Sequence, residues 1–189
     1  MRLNFTKRIL MMTAPLQVDI NDIKIISLPN IDALSGFKCG EREIDRNIGK
    51  CCGHHQKYRN RIFCGVLRNI DLVVGFYCLG VDATSAEYLD EGILRANETY
   101  KFVPFIYINY LAVQAEYQNN KIGKVLLMNA LQKCAHTIIN IGIYGVALHA
   151  ISDRAAGLYD RYGFRECGKS AKYPFMILPA QSVLDLFIK

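Results

Sequence analysis

The chain has 189 residues, of which 51% are hydrophobic and 21% are charged. This length suits one domain with its own core, and the composition excludes disordered and fibrous proteins. No apolar run reaches the roughly 20 residues that a membrane-spanning helix needs, and the formal net charge of +6 favours anionic partners over polyamines or aminoglycosides.

Residues 1–16 are predicted to be a flexible leader, and residues 17–189 a single domain. Basic residues precede a short apolar run, Ile9–Met12, in a pattern that faintly resembles a secretion signal. The run is too short for such a signal, and no convincing cleavage site follows it. The leader is therefore left out of the predicted fold, with Met11 or Met12 as alternative starts.

Seven cysteines are spread unevenly along the chain. An odd number, in a chain long enough to build its own core, favours reduced thiols and a cytoplasmic location over a disulfide framework. Cys51 and His55 lie one turn apart in a predicted helix, but no second ligand pair with zinc-like spacing accompanies them. We therefore predict buried cysteines and no metal site.

The first half of the chain is predicted to form a strand, a helix and a meander. Alternating polarity predicts a strand over Val18–Ser27, and apolar residues at helical spacing predict a helix over Gly40–Lys57. Two more strands are predicted over Arg61–Arg68 and Leu72–Val81, joined by a polar turn. The acidic segment Asp82–Thr99 is predicted to be a connecting excursion with a short helix.

The predicted helix carries a stripe of basic side chains on a face of its own. The stripe consists of Arg42, Arg46, Lys50, His54 and Lys57. Arg59 and Arg61 add positive charge just after the helix. Such a stripe suits a phosphate backbone, although a solvated helix face is the ordinary role of residues like these.

A long apolar strand is predicted over Phe102–Val113, and the clearest helix over Ile122–Ile139. The loop that enters this helix, Gln118–Lys124, contains one glycine and two lysines. Backbone N–H groups at a helix start form an anion site, and Gly123 lets a phosphate approach the backbone closely. The structural alternative is a glycine used for packing and lysines on a solvated face.

After that helix, a buried strand is predicted over Gly145–Ala150. Asp153 is predicted to cap a short helix that runs to Tyr162, and Gly163 to stop it. Phe175–Leu178 is predicted to be the last strand, followed by a tail.

The stretch AVQAEYQNNKIGKVLLMNAL resembles the phosphate-binding motif of the GNAT superfamily of acetyl-CoA-dependent acetyltransferases, Gln/Arg-x-x-Gly-x-Gly/Ala. Gln118 and Gly123 match that motif, whereas Lys121 replaces its first glycine. The resemblance implies that acetyl-CoA is the cosubstrate. The residues implied to bind it here are Leu111, Ala112, Val113, Gln118, Asn119, Asn120, Lys121, Ile122, Gly123 and Lys124.

A second stretch, Ser152–Phe164, resembles the other main motif of the superfamily, in which an alanine precedes a tyrosine by four residues and Gly-Phe follows. The matching residues are Ala155, Tyr159, Gly163 and Phe164. The resemblance implies that Tyr159 lies near the thioester sulfur as general acid, and it adds Asp153 and Ala155 to the acetyl-CoA contacts. It also implies an α/β (α+β) GNAT fold, a mixed central sheet of about six to seven strands flanked by helices.

The chemistry of a phenol limits the role of Tyr159. Its reference pKa is about 10 and that of a thiol about 8.5, so full proton transfer to a leaving thiolate is uphill by roughly 2 kcal/mol. Tyr159 is therefore expected to act mainly as a hydrogen-bond donor, and Tyr162 to pack at a helix edge. The resemblance further implies that backbone groups of Leu111 and Val113 orient the pantetheine and polarise the thioester carbonyl.

The acceptor is predicted to be an α-amine. The strand Phe105–Val113, where many members of the superfamily place a base, contains no carboxylate. A weak base or a water chain suffices to deprotonate an α-amine with a pKa of about 8, but not a lysine with a pKa of about 10.4.

Phe37–Asp45, the basic helix and Gly75–Leu79 resemble the toxin branch found in type II toxin–antitoxin pairs, and the resemblance covers about Phe37–Leu178. Members of that branch acetylate the α-amine of aminoacyl-tRNA and block translation. The resemblance implies charged tRNA as substrate, a ribbon-helix-helix antitoxin as partner, operator DNA bound only through the antitoxin, and a homodimer. The residues predicted to bind tRNA are Arg42, Arg46, Lys50, His54, Lys57 and Arg59. Tyr110 stands where many of these toxins carry arginine, which leaves the choice of tRNA open.

Two other functions remain open on the sequence alone. One is an acetyltransferase for a protein α-amine or a small-molecule amine, which would turn over without tRNA. The other is a degenerate acetyltransferase that serves as a binding or co-repressor module, with Lys121 as the sign of degeneracy. The retained Tyr159 argues against the second alternative.

Overall fold

The computed structural model describes residues 17–89, 101–167 and 172–187. The predicted leader and residues 90–99 of the predicted excursion lie outside them. The strands they form are β1 (Ile23–Ser27), β2 (Asn60–Leu67), β3 (Leu72–Ser85), β4 (Phe102–Val113), β5 (Gly145–His149), β6 (Arg165–Glu166) and β7 (Phe175–Pro179). The α-helices are α1 (Arg42–Gln56), α2 (Ile122–Asn140), α3 (Asp153–Asp160) and α4 (Ala180–Asp185).

The strands form one seven-stranded sheet in the order β1-β2-β3-β4-β5-β7-β6. Neighbouring strands are antiparallel except β4 and β5, which are parallel. Helix α2 connects this parallel pair, because parallel neighbours need a crossover. The mixed sheet flanked by helices confirms the predicted fold class.

The parallel pair separates soon after it forms. Only Phe105–Tyr107 of β4 pair with Gly145–Ala147 of β5, although β4 continues to Val113. The second half of β4 therefore has no β5 partner along that edge. This divergence leaves a gap in the sheet that can accept an extended ligand.

Alternate side chains of β3 face two different hydrophobic clusters. Tyr77 packs with α2, whereas its neighbours Phe76 and Cys78 pack with α1. Because successive strand residues point to opposite faces, α1 and α2 cover opposite sides of the sheet. The buried residues of α1 are Ile44, Ile48, Cys51 and Cys52, which confirms the predicted apolar face.

Several predicted boundaries need correction. The first strand begins at Ile23 instead of Val18, because Asp19 accepts a hydrogen bond from Asn21 N–H and starts a 3-10 turn. Strand β3 extends to Ser85, since β4 supplies partners over that whole length. The predicted C-terminal tail begins with helix α4, whose Val183 is buried in the core.

All seven cysteines are buried, as predicted. Within residues 17–89, 101–167 and 172–187, no three His, Cys, Asp or Glu side chains are placed to hold a metal ion. His55, considered as a metal ligand with Cys51, instead accepts the backbone N–H of Ile62 at 3.1 Å. No helix in the described parts of the chain is both long enough and apolar enough to span a bilayer.

Candidate active site

A cavity of about 490 Å³ lies where β4 and β5 diverge. Its walls include Ile108–Leu111 of β4 and Ala155 and Tyr159 of α3. The start of α1 and the residues just before β7 border the same space. The structure thus brings the predicted Tyr159, Ala155 and Leu111 together around one cavity.

A bulge in β4 shapes the cavity wall. Cys78 pairs with Tyr110 and Leu79 with Ile108, so Asn109 is the extra residue. Bulges redirect side chains and increase the local twist of a strand. Asn109 and Tyr110 both line the cavity. The apolar pattern of the strand did not predict this bulge.

Helix α3 positions Tyr159 at the cavity. Ser152 caps this helix by accepting the N–H of Ala155 at 3.2 Å, which corrects the predicted Asp153 cap. The Tyr159 ring is 9% exposed and packs edge-on against Phe164, with ring centroids 5.6 Å apart. Within the described part of the chain, its hydroxyl has no hydrogen-bond partner. The hydroxyl is therefore available to a ligand.

Burial raises the pKa of Tyr159 to about 12. The neutral phenol avoids the cost of placing a phenolate in an apolar environment. At neutral pH this side chain is consequently a hydrogen-bond donor that carries its proton.

Three side chains meet at the cavity mouth. Oε2 of Glu43 accepts hydrogen bonds from Tyr173 Oη at 2.8 Å and from Lys172 Nζ at 3.0 Å. The bonds from Lys172 and Tyr173 hold the pKa of Glu43 below its ordinary value. Glu43 is therefore ionised at neutral pH, and the first turn of α1 also favours its negative charge. The sequence did not indicate this contact, since it joins residues about 130 positions apart.

His149, at the end of β5, also lines the cavity. Its ring centroid lies 5.0 Å from that of Phe175. Imidazole and carboxylate are groups that can take up a proton, so the cavity contains two such side chains, His149 and Glu43. Strand β4 itself carries no carboxylate, as predicted, and no local sequence pattern indicated these two residues from other elements.

The loop between β4 and α2 contains two left-handed residues. Asn119 has a φ of 67° and Lys121 a φ of 60°. Lys121 is the N-cap of α2 and makes no side-chain capping bond. A left-handed conformation costs a residue with a Cβ about 1–2 kcal/mol, whereas glycine adopts it freely. The glycine of the family motif is thus replaced here without loss of the turn.

The start of α2 presents backbone N–H groups to the outside of the loop. Lys124 N–H donates to the Lys121 carbonyl at 3.0 Å, so the N–H groups of Ile122 and Gly123 precede the first helical bond. A Cβ on Gly123 would meet only Val113 Cγ2, at 3.8 Å. Packing within the protein therefore does not require glycine at this position, which argues against the packing alternative.

Two of the predicted acetyl-CoA contacts, Gln118 and Asn120, make hydrogen bonds within the protein. Gln118 Nε2 donates to the carbonyls of Cys39 at 2.8 Å and Val113 at 3.1 Å. Asn120 Oδ1 accepts the N–H of Val18 at 3.1 Å. These bonds hold the loop against neighbouring segments. We therefore expect the two side chains to support phosphate binding indirectly, by holding the backbone N–H groups of the loop in place.

The remaining predicted contacts differ in accessibility. The side chains of Ala112 and Ile122 are buried, so only their backbone groups can reach a ligand. Val113 is half-buried at the end of β4, and Lys121 and Lys124 are exposed beside the loop. Asp153 is exposed in the first turn of α3.

Arg154 was missed by the sequence analysis. Its Nη2 lies 3.4 Å from Oδ1 of Asn119, which places this guanidinium beside the phosphate loop. A second cavity of about 600 Å³ follows the start of α3 and is lined by Arg154 and Arg161. It shares Ile151 and Ala155 with the first cavity, so the two spaces adjoin.

The predicted basic stripe lies on the surface. Arg42, Arg46, Lys50 and Lys57 are exposed, whereas His54 is half-buried. Arg59, just beyond the stripe, is exposed as well. The stripe begins next to Glu43 at the cavity mouth and follows α1, whose 15 residues span roughly 22 Å. The sequence pattern therefore predicted an exposed basic face, and the structure adds that Arg42, at one end of it, is the chain neighbour of the cavity residue Glu43.

Comparison with known proteins identifies the family. A family model described as an acetyltransferase (GNAT) domain matches residues 59–166, more than half of the chain. The chain is also 30% identical over 139 residues to a protein of Mycobacterium tuberculosis (strain ATCC 25618 / H37Rv) named tRNA-acetylating toxin. That alignment covers 72% of this chain and 81% of the relative.

Solved structures share the fold at lower identity. AtaT complexed with acetyl-methionyl-tRNAfMet matches with a TM-score of 0.75 and 22% identity, over 88% of this chain and 99% of that one. An AtaT variant bound to the C-terminus of the antitoxin AtaR and acetyl-CoA matches with a TM-score of 0.70 and 21% identity, over 89% and 99% of the two chains. The two motifs, the divergent strands and the matching family model lead to one conclusion: the chain belongs to the GNAT family of acetyltransferases.

Proposed function

We propose that this protein is a toxin that transfers the acetyl group of acetyl-CoA to the α-amine of aminoacyl-tRNA and so blocks translation. The observation that carries the proposal is the position of the basic stripe. Arg42, the first residue of the stripe, directly precedes Glu43, which lines the cavity that contains Tyr159. A tRNA whose aminoacyl end lies in the cavity can therefore place its phosphate backbone along α1, where binding would release counterions.

The residues around the loop suit the anionic part of acetyl-CoA. Backbone N–H groups at the start of α2 form an anion site, and Lys121, Lys124 and Arg154 surround it with positive charge. Beyond Tyr107, β4 has no β5 partner within the described residues, so backbone N–H and C=O groups along that edge can bond an amide-containing chain. When bound there, acetyl-CoA supplies an acetyl group activated as a thioester.

Different residues of the cavity contribute to different parts of the acetyl transfer. The acceptor nitrogen, as the free amine, forms a bond to the acetyl carbon, and the bond from carbon to sulfur breaks. The nitrogen loses its proton to water, and CoA leaves as a thiolate that takes up a proton from water. Tyr159 donates a hydrogen bond to the leaving sulfur. Backbone groups of Leu111 and Val113 orient the chain that carries the thioester and polarise its carbonyl.

An α-amine fits this site better than a lysine does. The two groups of the cavity that can take up a proton are a carboxylate, Glu43, and an imidazole, His149, and both are weaker bases than an amine. An α-amine with a pKa of about 8 therefore loses its proton to them or to water far more readily than a lysine with a pKa of about 10.4 does. A relative with 30% identity is named tRNA-acetylating toxin, which supports charged tRNA as the carrier of the amine. We assign tRNA binding to the stripe residues Arg42, Arg46, Lys50, His54 and Lys57 and to Arg59, which follows them.

The proposed partners follow from the toxin assignment. The AtaT structure with the C-terminus of its antitoxin supports an antitoxin partner for this chain. We further propose that this partner is a ribbon-helix-helix protein, that operator DNA is bound only through it, and that the toxin is a cytoplasmic homodimer.

The proposal is tested by an acceptor assay with radiolabelled acetyl-CoA. Separate reactions contain total charged tRNA, the same tRNA after deacylation, a free amino-acid mixture, and a peptide with a free N-terminus. We expect label on charged tRNA alone. Label on the amino acids or the peptide would favour a small-molecule or protein acetyltransferase, and absence of acetyl-CoA binding would favour a degenerate binding module.

A further inference from the structure

The cavity contains a negative charge where a polyanion must arrive. Among the described residues that line it, Glu43 is the only acidic side chain. Both proposed substrates carry several phosphates, and a carboxylate at the mouth repels them. The protein has a net charge of +6, which favours phosphate binding, and Glu43 acts against that binding. Its position therefore calls for another explanation.

Stability of the fold does not supply that explanation. Asp45, two residues further on, binds the backbone N–H groups of Cys39 at 2.9 Å and Gly40 at 3.3 Å, and so holds the preceding loop. Glu43 contacts only side chains, and the side chains of Glu43 and Lys172 are 49% and 71% exposed. An ion pair this exposed contributes little to stability. The Glu43 carboxylate is thus accessible to a ligand, and another cation can replace Lys172 beside it.

We propose that the Glu43 carboxylate binds the α-ammonium group of the aminoacyl acceptor. This inference rests on the proposed function. Lys172 Nζ, 3.0 Å from Oε2, shows that an ammonium group fits beside this carboxylate. Tyr173 Oη donates to the same oxygen at 2.8 Å, and Glu43, Tyr173 and Tyr159 all line the one cavity. The contact would select acceptors that carry an amine.

Glu43 is an acceptor-binding residue in this scheme, not the base. A carboxylate beside an ammonium favours the protonated form of the amine. The proton must therefore leave to another group before attack, either to His149, which lines the same cavity, or to water. Loss of Glu43 should consequently weaken acceptor binding more than it lowers the maximal rate.

The test compares two forms of the tRNA that the acceptor assay labels. One form carries its amino acid, and the other carries the corresponding α-hydroxy acid, which lacks the ammonium group. Binding of both is measured with CoA present, so that no turnover occurs. We expect the wild type to bind the amino form about tenfold more tightly, the size of one charge-assisted hydrogen bond. Glu43→Gln should bind both forms equally.

Two further variants separate acceptor binding from a structural role. Lys172→Met also breaks the ion pair with Glu43 but keeps the carboxylate, so it should retain the preference for the amino form. Glu166→Gln removes a carboxylate from β6, outside the cavity, and should behave as the wild type. Thermal unfolding and acetyl-CoA affinity of each variant check that the fold is intact.

The outcomes distinguish the two levels of the proposal. Equal binding of both tRNA forms by a wild type that acetylates charged tRNA would overturn the role of Glu43 alone. A Glu43→Gln protein that keeps the preference would do the same, as would its loss in Lys172→Met. If the wild type acetylates no charged tRNA, the proposed function fails, and the role of Glu43 fails with it.

Discussion

Replacement of Tyr159 by phenylalanine removes one hydroxyl from the cavity and little else. The ring would keep its edge-on contact with Phe164, 5.6 Å between centroids. The hydroxyl has no hydrogen-bond partner within the described residues, so its loss leaves no protein group unsatisfied. We therefore expect Tyr159→Phe to fold normally and to bind acetyl-CoA with unchanged affinity.

The size of the kinetic effect follows from the pKa of Tyr159, which burial raises to about 12. Compared with a thiol of pKa about 8.5, full proton transfer to sulfur is uphill by about 5 kcal/mol. Tyr159 should therefore contribute as a hydrogen-bond donor to the developing charge, worth about 1.5–3 kcal/mol. The substitution should lower kcat by about 10- to 100-fold.

The assay is single-turnover acetylation of charged tRNA at saturating acetyl-CoA. Tyr162→Phe is the matched control, because Tyr162 follows the same helix but does not line the cavity, and its kcat should equal that of the wild type. The wild-type rate should also show no loss from phenol ionisation up to about pH 10, well below the pKa of about 12. An undiminished kcat for Tyr159→Phe would refute this role.

Three further predictions concern the two anion-binding surfaces. Gly123→Ala should leave the melting temperature unchanged, since the added Cβ meets only Val113 at 3.8 Å, but should weaken acetyl-CoA binding in calorimetry; unaltered affinity would contradict a phosphate beside Gly123. Lys121→Gly should be at least as stable as the wild type, because it relieves about 1 kcal/mol of left-handed strain, yet bind acetyl-CoA less tightly than the wild type. Stronger binding by this variant would exclude a phosphate contact from Lys121. Arg46→Glu combined with Lys50→Glu should abolish tRNA acetylation while sparing acetyl-CoA affinity, and unchanged tRNA turnover would refute tRNA binding by the stripe.

Local patterns were sufficient to predict most elements. The run Phe102–Val113 is apolar except at Asn109, and the structure has β4 with those same bounds. The predicted helix Ile122–Ile139 differs from α2 by one residue. Strong periodicity fixed these elements because the residues that face the core are also the residues that set the pattern.

Boundaries that depend on single hydrogen bonds were predicted less well. The strand predicted from Val18 starts five residues later, because the Asp19 side chain favours a turn. Ser152 caps α3 in place of Asp153, and both are residue types that cap helices well. Sequence pattern does not decide between two adjacent capping residues.

The composition of the cavity could be predicted only in part. The Tyr159 and phosphate-loop motifs are local, so they were visible in the sequence. Glu43, His149 and Lys172 come from elements far apart in the chain and meet only because the sheet places them together. The bulge at Asn109 depends on the register of β3 and β4, which an apolar pattern does not specify.

Acetylation of the α-amine of aminoacyl-tRNA is tested directly by locating the acetyl group in the product. The protein is incubated with acetyl-CoA and charged tRNA, and the tRNA is then digested by a nuclease that releases its terminal aminoacyl-adenosine for mass spectrometry. We predict that this fragment gains the mass of one acetyl group and that fragmentation places it on the α-nitrogen. An unmodified aminoacyl-adenosine, or an acetyl group on a nucleotide or an amino-acid side chain, would contradict it.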